Sequence, residues 1–214
     1  MTKRKLIKHR EKDNRSRIVE AAWELFWSRG YHATSINAVA KLAGVPKGSV
    51  YNYFDSKESL VSYCVSRLQY KIETELRLEV LSGTLSPAEL VIRLLDHYVE
   101  IYSDVRFSRG DPLSGLLGEL SGTHPGLVQE LRSLQTAWRS VVAQKLWAYA
   151  TVARIPVLVD AADNLAGIIY AALQGVLLQM KITRSRIPLD EARRVLVPMV
   201  NLYVSALATG EAEP

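Results

Sequence analysis

Residues 30–60, GYHATSINAVAKLAGVPKGSVYNYFDSKESL, carry the tightest constraint in this chain. Counting from Ile36 as the first position, Ala40 is fifth, Gly44 ninth and Val50 fifteenth, with Val39, Ala43 and Val45 apolar between them. A small fifth residue lets two short helices cross closely. Gly44 permits the positive φ of a tight turn, and Val50 plugs the angle between the helices. Either Thr34 or Ser35 can cap the first of them, and Pro46 is tolerated in the first turn of the second. This register predicts a helix-turn-helix, a unit that presents its second helix to a DNA major groove.

That second helix carries Lys47, Ser49, Tyr51, Asn52 and Tyr53, while Val50 and Phe54 point inward. Stability alone does not ask for such residues on so short a helix, since Ala, Glu and Lys would cover it better. Hydroxyls, an amide and an ammonium are the groups that meet phosphates and base edges. Ser56 opens the next helix, placing Lys57 in its first turn, where a cation suits a phosphate neighbour better than a helix dipole.

Charge sharpens the division. Residues 1–57 hold a balance of +7 and residues 58–214 one of −2. A basic head on a near-neutral body points to a polyanion partner for the head alone. Residues 1–13 read as a basic flexible arm, either tracking a phosphate backbone or simply solvated. From Asn14 to Arg29, Ile18, Ala21, Ala22, Leu25 and Phe26 form one helical stripe, with Trp23 and Trp27 packing beside it and Gly30 as the stop. The DNA-binding domain is therefore assigned to residues 14–57 and the helical body to 58–214.

The body reads as helices throughout: about Ser56–Leu81, Ser86–Asp104, Pro112–Ser121, Pro125–Thr151, Asp160–Thr183 and Leu189–Ala208, with a break over 105–111. The last two are apolar on more than one face. They read as a homodimer surface forming a four-helix bundle, the alternative being burial in the monomer core. The fold class expected is all-α, with about nine helices in a helix-turn-helix head and a dimerising helical body.

The stretch 30–60 resembles the N-terminal signature of the tetracycline-repressor (TetR) family of transcriptional regulators, and the likeness covers roughly residues 14–65. The resemblance implies a homodimer that binds a palindromic operator in double-stranded DNA and responds to a small effector. On that pattern Thr34, Ser35, Lys47, Gly48, Ser49, Tyr51, Asn52, Tyr53 and Lys57 fall where the family contacts DNA. Pro46 stands where Ser or Thr is common. GDPLSGLLGELSGTHPGL and ALQGVLLQMKITRS resemble the body of a subgroup that senses acrylate- or quinone-type electrophiles, with Asp111 where that subgroup commonly has a cysteine. Loss of the thiolate favours reversible binding of an uncharged or cationic ligand, although Asp111 can equally cap the helix at Pro112.

Candidate effector-pocket residues are His97, Tyr98, Tyr102, Asp111, Trp138, Tyr170 and Gln174, each of which also suits core packing. Cys64 reads as a buried apolar residue or a redox gate. The scattered histidines His9, His32, His97 and His124 show no metal-ligand spacing, and no phosphate loop or nucleophile elbow is present. No cofactor and no enzymatic activity are expected. No window holds ~18 uninterrupted apolar residues and no apolar run follows the basic start, so a cytoplasmic protein without a membrane partner is expected. The function expected is a ligand-responsive regulator, most simply a repressor. The alternative is a DNA-binding activator or architectural protein without a small-molecule ligand.

Overall fold

A computed structural model describes residues 3–103 and 109–212. The fold is all-α: the described residues form nine α-helices, one π-helical segment and no strand. The chain divides into two compact units, Met1–Leu68 with Pro112–Ser133, and Gln69–Asp111 with Leu134–Pro214. The first therefore holds more than residues 14–57, because the helix Pro112–Leu120 and the opening turns of the helix Pro125–Ala153 belong to it.

In the first unit, α1 (Lys3–Arg29) buries Ile18, Ala21, Ala22, Leu25 and Phe26, the stripe read from the sequence. The flexible arm expected over 1–13 is helical from Lys3 onward, in register with α1. Next come α2 (Ile36–Ala43), α3 (Lys47–Tyr51) and α4 (Lys57–Lys71), then α6 (Pro112–Leu120) and α7 (Pro125–Ala153). Ser35, not Thr34, caps α2, its Oγ accepting from the Ala38 N–H at 3.2 Å. Gly44 closes α2 at φ +64°, and the Val45 N–H reaches back to the Ala40 carbonyl, the bond pattern of a left-handed helix stop. The Ser56 and Ser59 backbone N–H groups each donate to the other's hydroxyl oxygen at 3.1 Å to start α4. Val39, Ala40, Ala43, Val50 and Phe54 are buried as their packing roles in the turn require, and Val45 is half-buried.

In the second unit the backbone after Lys71 winds as a π-helix over Ile72–Val80, ending with Leu81 N–H donating to Leu76 O at 2.9 Å. The single α-helix expected to Leu81 is thus two windings. It is followed by α5 (Pro87–Ser103), the remainder of α7, α8 (Pro156–Thr183) and α9 (Ile187–Thr209), with α9 packed on α5 and α8. Helices α5 to α8 each begin on a proline, whose missing N–H costs nothing there. Ser86 and Glu89 form a reciprocal capping box at the start of α5. The break expected over 105–111 lies mostly outside the described residues.

Helix α8 is long and apolar enough to cross a bilayer by length and composition. It buries Leu158, Ala161, Ala162, Leu165, Ala166, Ile169, Leu173, Leu177 and Met180, the face of a core helix. Its opposite face presents Ile168, Ala171, Gly175, Leu178 and Ile182, spaced by 3, 4, 3 and 4 residues. On α9, Val195, Met199 and Leu202 repeat the pattern, with Leu202 73% exposed.

Gly30 tests this account of the head. Its φ is +82°, and a Cβ there would run into the Glu119 carboxylate. Gly30→Ala should cost about 1–3 kcal/mol, read as a lowered melting temperature; an unchanged melt would refute the strain assigned here.

Candidate nucleic-acid interface

The turn between α2 and α3 sets the reading face. Val50 is fully buried and Phe54 nearly so, which anchors α3 from beneath. With Val50 inward, Lys47, Gly48, Tyr51 and Asn52 are exposed on the opposite side, at the i, i+1, i+4, i+5 spacing of one helix face. Tyr51 is 47% exposed, a large aromatic left in water. A Cβ built on Gly48 meets nothing within 4 Å, so a backbone or phosphate could approach closely there. Ser49 and Tyr53 are half-buried at the edge of this face, and Ser35 is exposed at the start of α2. Lys41 adds an exposed cation on α2.

Two of the nominated residues are used differently. Thr34 is 1% exposed, and its hydroxyl donates to the Gly30 carbonyl at 2.7 Å. It closes the α1–α2 loop, so its side chain is not on the reading face. Lys57 Nζ donates to the Tyr31 and Thr34 carbonyls at 3.1 and 3.2 Å and lies 3.9 Å from the Tyr31 ring centre. Two of its three donors are committed inside the head, leaving one for a phosphate.

Around Tyr31 lies a polar cluster that sequence reading did not assemble. Tyr31 is buried, and its hydroxyl donates to Glu58 Oε1 at 2.6 Å and stands 3.3 Å from His124 Nε2. His124 Nε2 is 3.6 Å from Glu58 Oε1. Glu119 accepts the His32 backbone N–H at 3.0 Å. The Tyr31 hydroxyl, then Glu58's own backbone N–H and the Ser56 hydroxyl, hold the Glu58 carboxyl down at about 2. Burial first, and Glu58 second, push the Tyr31 phenol up. Among the described residues no three His, Cys, Asp or Glu side chains gather as a metal site.

In the second unit, Tyr98, Tyr102, Trp138 and Tyr170 do meet. Tyr98 and Tyr102 ring centres are 5.9 Å apart and those of Trp138 and Tyr170 5.1 Å. Burial, followed by Asp111, raises all three phenols, Tyr170 to about 12. The Tyr170 hydroxyl is buried; Gln135 lies beside it and partly offsets that rise, but no hydrogen bond of good geometry reaches it among the described residues. His97 tilts toward Tyr98 with ring centres 6.3 Å apart, yet it lines a different place. That place is an open groove of ≈ 510 Å³ formed with Glu75, Val80, Arg93, Asp96 and Glu100. Burial lowers the His97 imidazole. Gln174 is half-buried one turn after Tyr170. Cys64 is buried, its thiol pushed up to about 12 by burial, the setting of a packing residue and not of a nucleophile.

A head of short helices that exposes Lys47, Tyr51 and Asn52 over a buried Val50, joined to an all-helical body, is the architecture of a helix-turn-helix DNA-binding protein. Comparison with known families agrees. Residues 18–64 match "Bacterial regulatory proteins, tetR family", and residues 87–195 match "Transcriptional regulator LmrA/YxaF-like, C-terminal domain". The chain is 30% identical over 189 residues to the HTH-type transcriptional repressor NemR of Escherichia coli, covering 86% of this chain and 92% of that one. It is 28% identical over 178 residues to the repressor DhaR of a Mycobacterium species, covering 83% and 87% respectively. A crystal structure of a TetR regulatory protein from Rhodobacter sphaeroides superposes with a TM-score of 0.74 at 21% identity, covering 86% of this chain and 96% of that one. The chain belongs to the TetR family of bacterial transcriptional regulators.

Two measurements check the electrostatics. Glu58 is depressed when folded, so its contribution to stability is present above the ordinary carboxylate range, near 4.5, and disappears as pH falls toward about 2. Tyr31→Phe removes the largest cause, so the acid fall in melting temperature across that window should become shallower; an identical acid limb would count against the bond. Cys64 should resist iodoacetamide in the native protein at pH 8 and react after denaturation, as read by mass spectrometry; native labelling would contradict its burial.

Proposed function

We propose that this protein is a ligand-responsive repressor that binds a palindromic operator as a homodimer and leaves it when a small effector binds the body. The observation that carries the DNA-binding part is the exposed face of Lys47, Gly48, Tyr51 and Asn52 on α3, set in the basic quarter of the chain. Ser35, Ser49 and Tyr53 flank that face as further contacts, with Lys57 contributing its one uncommitted donor. Relatives named as regulators support a regulatory and non-enzymatic role, and a cytoplasmic protein is the reading that fits a DNA partner.

The homodimer is supported by the outward 3-4 repeats on α8 and α9. Ile168 and Ile182 are each about two-thirds exposed, and such a seam on both helices suits packing against a symmetry mate as a four-helix bundle. Two copies would then present their α3 helices to successive major grooves, ~34 Å apart. Effector binding changes that spacing and lowers operator affinity, provided the effector prefers the released conformation.

For the effector, the buried Tyr170 hydroxyl, which no hydrogen bond of good geometry reaches among the described residues, favours the tyrosine–tryptophan cluster, because such groups ordinarily have partners. Asp111 faces that cluster and Cys64 is sequestered, so reversible capture of an uncharged or cationic molecule suits it better than covalent capture. The near-complete burial of Tyr98, Tyr102 and Trp138 favours the second reading, a DNA-binding activator or architectural protein with a filled body.

Binding to a labelled duplex from the promoter of its own transcription unit tests the proposal. Tyr51→Ala and Lys47→Ala should each weaken binding by about 1–3 kcal/mol while light scattering still reports a dimer. Monomers in either variant would mean the interface is misplaced. Ile168→Glu with Leu202→Glu should give monomers and abolish tight binding; a persistent dimer would refute the α8–α9 seam.

A further inference from the structure

The cluster around Tyr31 includes two residues, Glu119 and His124, that lie far in sequence from the helix-turn-helix. The Tyr31 hydroxyl has one proton, which it gives to Glu58 at 2.6 Å. The His124 Nε2 atom, 3.3 Å from the same oxygen, can therefore bond it only as a donor. In the neutral ring that places the proton on Nε2 and leaves Nδ1, 2.7 Å from the Thr123 hydroxyl, as the acceptor. The imidazole also packs edge-on against the Tyr31 ring, with centres 4.9 Å apart.

Glu119 holds the next residue along. Its carboxylate accepts the His32 N–H, its backbone carbonyl lies 3.3 Å from His32 Nε2, and its side chain occupies the space that glycine leaves at position 30. The α1–α2 loop is thus gripped twice: by Lys57 through the Tyr31 and Thr34 carbonyls, and by α6 and the α6–α7 turn through Glu119 and His124. Helices α1 and α6 are packed together within the first compact unit, so the second grip is part of the head.

We propose that Glu119 and His124 are positioning residues for operator reading. Acting through His32, Tyr31 and Glu58, they hold the α1–α2 loop, and with it α2 and α3, in the orientation that offers Lys47, Tyr51 and Asn52 to DNA. A loop already ordered leaves less conformational freedom to be lost on binding, so removing the grip weakens binding without removing a DNA contact. This inference rests on the DNA-binding reading above.

The test uses the full-length protein and the same labelled promoter duplex, with melting temperature and dimer state followed in parallel. His124→Ala is expected to weaken binding about ten-fold with the salt slope unchanged, since no phosphate contact is lost. His124→Gln, whose amide N–H can reach the Tyr31 oxygen, is expected to restore most of that loss. In a Tyr31→Phe background, His124→Ala is expected to add little. Wild-type or tighter affinity in His124→Ala, a failed rescue by His124→Gln, or full additivity with Tyr31→Phe would each overturn the proposal. Hydrogen exchange of the free protein gives a reading independent of DNA. His124→Ala should speed exchange over residues 30–57 and leave 140–200 unchanged, and no change over 30–57 overturns the grip. Wild-type protein that binds no duplex, yet shows this exchange pattern in the variant, overturns the DNA-reading role and supports the grip itself.

Discussion

The ammonium of Lys57, directed at the carbonyls of Tyr31 and Thr34, is the contact on which the head depends. A loop between two helices leaves backbone acceptors without intrahelical partners, and a buried one left unmet costs more than a typical bond returns. One lysine meets two of these carbonyls, sharing that of Tyr31 with the Thr34 N–H, while its charge rests on the Tyr31 ring. Thr34 closes the same loop by bonding Gly30, leaving Ser35 to cap α2. The orientation of α2, and so of α3, follows from how this loop is tied.

The contact also explains which parts of the head could be read from the residues alone. Ala40, Gly44 and Val50 lie within a dozen residues of one another, and their roles follow from local geometry, so spacing revealed them. Lys57 and Thr34 carry side chains that suit either a phosphate or a carbonyl. Choosing between those partners required knowing that the chain returns, 23 residues on, to the loop it had left. Glu119 and His124 lie 87 and 93 residues from the groups they meet, and nothing periodic links them. Ser35 and Thr34 are adjacent and both cap helices well, so only the burial of Thr34 separates them.

In the body, periodicity disclosed the helices but not their surroundings. The apolar surplus on α8 and α9 was visible, and the structure resolves it into a buried stripe and an outward 3-4 stripe on α8. Aromatic residues at stripe positions were visible too. Tyr98, Tyr102, Trp138 and Tyr170 come together, whereas His97, adjacent in sequence to Tyr98, turns into a separate groove. Neighbouring positions on a helix differ by about 100° in direction, enough to send two candidates for one pocket to two places.

The π-helical winding of Ile72–Val80 has a geometric consequence for that groove. Five residues carry an α-helix through about 500°, leaving side chains at i and i+5 some 140° apart. Winding with i→i+5 bonds takes about 4.4 residues per turn and closes that angle to about 50°. Leu76 and Leu81 are both buried, and Glu75 and Val80 both line the groove. The two pairs are displaced by one residue and served by the same wide turn. Groove wall and core register are therefore one mechanical fact: rewinding this segment as an α-helix would swing Val80 away from Glu75 by the same rotation that lifts Leu81 off its seat.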